Sequence, residues 1–429
     1  MPDGVLHATD SRTSRAYQIH IRRNVIKAVD FQAIKGLVEN SDLADQVGSG
    51  LRLFDPGFKN TAVSESAITY MYVYNVAMEL GIVQHRGYSI TDFWQTAEFE
   101  DLLHLLVWGH RPSTIEKETI KDELFKAAQI IPESVKTVIH AFPKSAAPMQ
   151  MIIAGLAAYL GEDPKSIPAH SGRNLYHGNL PLVDKAIIRT LAAFQVCAGL
   201  AASHRNGIPF TPVHTNNSFL SNLLTMMGKV DKKTGKPDPK ALRAIQRTWA
   251  LGADLGHTNS TSAFLLGAST LSDPLSCLIS ALFSGYGILH FGAAEASLKS
   301  FATIGSKDKV PELINKVKRG ETKLYGYGHR MFKTVDPRVI IGQQILDEIE
   351  SNHPLAEVAT EISRIASEDE YSCSRNIHAN SDFFIGIGYT ALDFEPSLVP
   401  VMVTLMRSGG MMAHWREAMS QPKTNIWRP

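Results

Sequence analysis

The sequence predicts a mostly α-helical protein with a short β lead-in at the N-terminus, and three observations carry that expectation. From about residue 91 onward, apolar residues recur at helical spacing in one segment after another. Pro or Gly punctuates most of these segments, as at Pro112, Pro132, Pro164, Pro209 and Pro274. Before residue 91 the pattern differs: Tyr17-Gln-Ile-His-Ile alternates as a half-buried strand does, and Asp55-Pro56-Gly57 is a tight turn.

Taken in order, residues 1–60 read as strand and turn, and 67–90 as extended chain through Tyr70-Met-Tyr-Val-Tyr-Asn-Val, ending in His85-Arg86-Gly87. Helices are expected at 98–108, 114–130, 147–161, 183–204, 216–228 and 240–272. The helix at 183–204 carries Ala192-Ala193 and Ala198-Gly-Leu-Ala-Ala202. Such small residues suit a buried central helix or a helical dimer interface, and a helix merely rich in good formers has the same composition. Lys229–Pro239 is a charged, solvated loop. Helix is expected again over 293–320, reopened by Val310-Pro311, then at 338–350 and 355–367. An irregular stretch follows to Asp382, and a last helix runs over 398–419.

At 429 residues the chain suits two domains, or one large helical domain with an insertion. Its 44% hydrophobic and 20% charged residues are those of a globular protein. A formal charge of +1 gives no global field toward nucleic acid or an anionic membrane. Three scattered cysteines form neither a metal-spaced pair nor a disulfide framework, which points to a reducing compartment. With no targeting pattern recognised at either end and no uninterrupted apolar run of membrane length, the expected location is cytoplasmic.

The chemistry-bearing residues sit in short, separated pieces. His290 precedes Gly292-Ala-Ala-Glu295, a good helix start. The positive end of a helix dipole disfavours imidazolium, so a neutral imidazole there can donate to an enolate oxygen, or simply serve as a capping or core residue. His329 lies in Gly326-Tyr-Gly-His-Arg330, followed by Asp336-Pro-Arg338. Glycines allow close backbone approach to a ligand and arginine offers a fork to a carboxylate, while a surface turn with cations has the same composition. Asp382 precedes Phe383-Phe384-Ile385. Desolvation beside aromatic residues would raise its pKa toward that of a useful base, and a helix N-cap is an equally natural role. Arg407 stands in the apolar run Val401–Met406 and calls for an acidic partner, an anionic ligand or an escape to solvent.

In this order, the pieces resemble the citrate synthase family. The resemblance runs through Asp55-Pro-Gly-Phe-Lys-Asn-Thr-Ala, Arg86-Gly-Tyr-Ser-Ile, Leu271-Ser-Asp-Pro, Leu289-His-Phe-Gly-Ala, Gly326-Tyr-Gly-His-Arg, Asp336-Pro-Arg, Asn380-Ser-Asp-Phe and Ala413-His-Trp-Arg-Glu. It implies a two-domain helical fold, with a large domain begun by 1–289, a small domain at 290–385 carrying catalytic residues, and a return at 386–429. It also implies a homodimer, with acyl-CoA as a substrate and no cofactor or metal. By that resemblance Asp382 takes the α-proton of an acyl-CoA, His290 stabilises the enolate, and His329 polarises the carbonyl of oxaloacetate or a related 2-oxo acid. Arg338, Arg407 and Arg428 hold its carboxylates, the last across the dimer.

Two departures bear on the substrate. The family's H-A-D-H-E-x-N becomes Gly252-Ala-Asp-Leu255-Gly-His257-Thr, so Leu255 replaces a histidine that bonds the oxo acid. On a continuous helix, His257 would face the opposite way. A charge-assisted hydrogen bond is worth ~1.5–3 kcal/mol, roughly ten- to hundredfold in binding. The family's L-H-G-G-A-N-E becomes Leu289-His-Phe291-Gly-Ala-Ala294-Glu, with bulk at Phe291 and a lost polar group at Ala294. The preferred expectation is an alkylcitrate synthase of specialised metabolism using a non-acetyl acyl-CoA. An ordinary citrate or 2-methylcitrate synthase is one rival, and a non-catalytic regulatory or structural paralogue is the other.

Overall fold

The chain forms two compact units, Met1–Glu65 and Ser66–Pro429, in a computed structural model that describes residues 3–36, 50–72, 82–328, 337–349, 353–375 and 377–428. In the first unit β1 (Gly4–Asp10), β2 (Arg15–Arg22) and β3 (Val25–Ile26) form an antiparallel sheet in that order, with Gly4 opposite Ile21 and Asp10 opposite Arg15. The predicted strand at Tyr17 is β2, and Asp55 closes the predicted turn by accepting the Lys59 and Asn60 amides at 2.9 and 3.0 Å.

The second unit opens with the sheet β4 (Thr69–Tyr72), β5 (Ile82–His85) and β6 (Tyr88–Ser89). The extended run predicted across residues 73–81 lies outside the described residues. Helices follow: α1 (Phe99–Trp108), α2 (Thr114–Ala128), α3 (Glu133–His140), α4 (Pro148–Glu162), α5 (Leu180–Asn206), α6 (Phe219–Met226), α7 (Pro239–Gly252), α8 (Asn259–Ala268) and α9 (Pro274–Gly285). Beyond them come α10 (Gly292–Ile304), α11 (Val310–Lys318), α12 (Pro337–Ile349), α13 (Pro354–Glu368), α14 (Ser381–Ala391) and α15 (Val399–Ser420).

Caps set several of these boundaries. Asp273 accepts the Leu275 and Ser276 amides at 3.1 and 2.9 Å ahead of Pro274, which makes Pro274 the first residue of α9 rather than a break. The single helix expected over 240–272 is two helices. It stops at Gly252, whose carbonyl accepts the Arg407 Nε–H at 2.8 Å, and restarts at Asn259 under a Thr258 cap. Between them Gly256 adopts φ +65°, which an L side chain resists. The irregular stretch expected before Asp382 contains a helical turn at Glu370–Ser374, and α14 already begins at Ser381.

Two helices run through the core. Helix α5 buries Ala192, Ala193 and Ala198–Ala202, and a Cβ on Gly199 would collide with Met226 of α6, so its small residues serve close helix packing. It is long and apolar enough to cross a membrane, but 94% of its most apolar 18-residue window is buried inside the fold. Helix α15 is buried along most of its length, Arg407 and His414 included, so it brings charge into an apolar interior.

Candidate active site

The tight turn from α9 into α10 positions His290. Its carbonyl accepts the Ala293 N–H at 2.9 Å at the start of α10, where the sequence places a helix N-terminus. A Cβ on Gly292 would come 2.5 Å from the Tyr286 carbonyl, so the turn requires glycine there. The His290 ring stacks on Phe291 with centroids 4.0 Å apart and planes at 30°, and its Nε2 lies 2.9 Å from Ser260 Oγ. Burial, then the Arg407 charge, pull its pKa down to about 4, so the ring is neutral at pH 7. The Ser260 hydroxyl can donate to Nε2 or accept from it; where it donates, the single ring proton sits on Nδ1, the tautomer that can donate to an enolate oxygen.

Phe291 is only 3% exposed. Its ring occupies the space that a side chain on Gly285 would need, a Cβ there lying 2.7 Å from Phe291 Cδ2. Its bulk is therefore absorbed by the core. The Arg407 guanidinium carbon stands 5.8 Å from the ring centroid, so one aromatic face links the neighbourhoods of His290 and Arg407.

Around Arg407 lies a buried charged cluster. Asp254 and His414 are fully buried, with His414 Nε2 3.2 Å from both Asp254 oxygens. Burial is the largest influence on the Asp254 carboxyl and pushes its pKa up. His414, then His85 and Thr69, outweigh it and hold the group well below the usual carboxylate range. His85, whose Nδ1 is 2.9 Å from Thr69 Oγ1, has its pKa lowered to about 4, first by burial and then by Arg407, Arg338 and His414 against the pull of Asp254. Arg338, 2% exposed at the start of α12, borders a cavity of about 20 Å³ with Leu251 and Ser381. Arg338 and Arg407 thus share one buried neighbourhood. Sequence pattern singles out none of His85, His414 and Ser260; His414 sits inside the motif at Ala413, and His85 directly precedes the one at Arg86.

The segments leading into His329 and Asp382 are stitched together. Gly328 N–H donates to the His378 carbonyl at 2.8 Å, Asn380 N–H to the Gly326 carbonyl at 2.8 Å, and Asn380 Nδ2 to the Gly328 carbonyl at 2.9 Å. Gly326 and Gly328 take φ +81° and +79°, and a Cβ on Gly326 would come 2.8 Å from Phe383 Cβ. His329 itself lies outside the described residues, as does the Asp382 side chain. The Asp382 backbone is the second residue of α14, and the oxygen capping that helix comes from Asn380, which accepts Phe383 N–H at 3.3 Å.

Leu255 is half-buried in the loop between α7 and α8, so the helical-face comparison with His257 does not apply. The His257 ring packs edge-on to His414 at 5.0 Å and against Trp427 at 6.2 Å, and burial lowers its pKa. Arg428, one residue further on, is exposed, and no contact among the described residues joins it to the other two arginines.

A family model described as "Citrate synthase, C-terminal domain" matches residues 57–429. "Citrate synthase-like protein oryE" of Aspergillus oryzae is 43% identical over 428 residues, covering 99% of this chain and 94% of its own. "Alkylcitrate synthase tstJ" of Talaromyces stipitatus is 41% identical over 426 residues, covering 98% of this chain and 92% of its own. Among solved structures, the ternary complex of carboxymethyl coenzyme A and oxaloacetate with citrate synthase from Thermoplasma acidophilum aligns with a TM-score of 0.77 at 25% identity. That alignment covers 87% of this chain and 94% of the other.

Proposed function

Because the chain belongs to the citrate synthase family, we propose that it is an alkylcitrate synthase, condensing a non-acetyl acyl-CoA with oxaloacetate or a close 2-oxo acid and then hydrolysing the thioester. In this reading the Asp382 carboxylate removes the α-proton of the acyl-CoA while His290 Nδ1–H bonds the forming enolate oxygen. The enolate carbon attacks the oxo-acid carbonyl as His329 donates to its oxygen, and water then cleaves the thioester, releasing CoA thiol. Arg338 and Arg407 hold the oxo acid's carboxylates, and Arg428 joins them from a second copy in a homodimer. Residues 290–385 form the small domain that closes over the substrates, excluding water and strengthening each charge interaction.

The observation that carries the reading is Phe291, stacked on His290 at 4.0 Å and turned inward over Gly285. That places a buried aromatic ring against the enolate-forming histidine where the family has glycine, a change beside the reacting centre rather than a surface for the acyl chain. Two relatives over nearly the full length carry the name alkylcitrate synthase, at 40% and 41% identity. Thiol release from acyl-CoAs of increasing chain length, with oxaloacetate present, tests the reading. Phe291→Gly is expected to change the ratio of kcat/KM between long-chain acyl-CoA and acetyl-CoA by releasing the His290 ring, and an unchanged ratio would remove the role given to this ring.

A further inference from the structure

Away from the active site, three side chains at the α1–α2 corner converge. His104 lies on the buried side of α1, His110 follows Gly109, which ends the helix at φ +90°, and Glu116 lies in the first turn of α2. Glu116 divides its two oxygens. Oε2 accepts the Ser113 N–H and hydroxyl, both at 2.8 Å, as the capping box of α2, while Oε1 faces both imidazoles. His110 Nε2 is 3.2 Å and His104 Nε2 3.7 Å from that one oxygen.

The hydrogen bonds of His104 define what its second nitrogen can do. Nδ1 lies 2.8 Å from the His110 carbonyl, which can only accept, so Nδ1 carries the proton. Nε2 is then the ring atom turned toward Glu116 Oε1, and it offers a lone pair there to a cation that the two could share. A histidine whose far N–H is tied to a backbone carbonyl is the usual second-shell form of a metal ligand. The ring is also fixed in place, 5% exposed and tilted against Trp108 at a 5.2 Å centroid distance. Among the described residues no lysine competes for Glu116: the neighbouring Lys117 turns to Asp101 and Glu98 at 2.8 and 3.0 Å. The three ligand atoms lie within 4.8 Å of one another. Zinc bonds of about 2.0–2.2 Å in a tetrahedron put ligand atoms about 3.3–3.6 Å apart, close to the 3.2 and 3.7 Å that separate the two imidazole nitrogens from Glu116 Oε1.

We propose that His104, His110 and Glu116 form a binding site for a divalent first-row cation of the zinc type, with water at the open position, clipping the end of α1 to the start of α2. The site needs no part of the condensation machinery.

The test uses the full chain stripped with a chelator and titrated calorimetrically with Zn²⁺, alongside His110→Ala and Glu116→Gln. Both residues are partly exposed, and Gln keeps an oxygen for the capping box, so both variants fold; their metal-free melting temperatures check this. The expected result is one saturable site per chain with a zinc-induced rise in melting temperature. Each variant should weaken it by at least the roughly 10–100-fold that loss of even an outer-shell partner costs. No saturable site, or a site whose affinity is unchanged in either variant, overturns the proposal.

Discussion

Replacing Ser260 with Ala deletes the one hydroxyl within hydrogen-bond distance of the His290 ring among the described residues. The ring stays neutral, because burial rather than Ser260 leads the causes that hold its pKa near 4. What changes is the choice of tautomer: where the Ser260 hydroxyl donates to Nε2, its removal leaves the proton no longer confined to Nδ1. A hydrogen bond of this kind contributes about 0.5–1.5 kcal/mol net, which converts to roughly a 2- to 12-fold loss in rate. The loss should fall on kcat, since His290 is assigned to the enolate and not to the oxo acid, and the contact between Arg407 and the Gly252 carbonyl at 2.8 Å is untouched. Steady-state thiol release with varied oxo acid gives both parameters. A wild-type kcat in Ser260→Ala would refute the positioning role, and so would a fall in kcat matched by an equal rise in oxo-acid KM, which would mark Ser260 as a support of the loop.

Three further outcomes follow from the site and its surroundings. Asp382→Ala should abolish turnover while leaving oxo-acid binding measurable by calorimetry; turnover equal to wild type would refute the assigned base. Arg407→Ala should raise the oxo-acid KM by at least the roughly tenfold that loss of a charge-assisted bond costs, and an unchanged KM would place the carboxylate elsewhere. The third concerns pH. His85 and His290 have folded pKa values near 4, below the ordinary histidine value of 6.5, so their contribution to stability is intact above pH 6.5 and lost as pH falls toward 4. Glu100, whose carboxyl burial pushes up to about 7, acts in the opposite sense, stabilising the fold as pH falls from 7 toward 4.5. Removing that opposing group in Glu100→Gln should make the loss between pH 7 and 4.5 steeper than in wild type by about 3 kcal/mol. Denaturant unfolding at both pH values measures this, and parallel slopes would contradict it.

Local signals explain what the sequence made legible. Helices such as α2, α5 and α15 carry long periodic apolar patterns, and their observed bounds fall within about three residues of those expected. Helix α3 has eight residues, too few for a clear period, and α9 begins at Pro274, which reads as punctuation until Asp273 is seen capping the amides behind it. The break after Gly252 is a tertiary effect: helix α15 approaches so closely that a Cβ there would collide with Met406, and Arg407 takes the carbonyl that would have continued the helix. The site divides in the same way. His290 and Arg407 stand out by local chemistry, a helix start or a charge among apolar residues, and Phe291 only as a departure from the family's L-H-G-G-A-N-E. The buried group of His85, Asp254 and His414 draws on β5, the loop after α7, and α15, so no window of sequence contains it.

The preference of the acyl site separates an alkylcitrate synthase from an ordinary citrate synthase. Side-by-side measurement of kcat/KM for thiol release from acetyl-CoA and from medium- and long-chain acyl-CoAs, with oxaloacetate saturating, tests it. An alkylcitrate synthase gives the higher value with the longer chain. A higher value with acetyl-CoA would identify an ordinary citrate synthase and contradict the account, and no release from any acyl-CoA would contradict it more deeply.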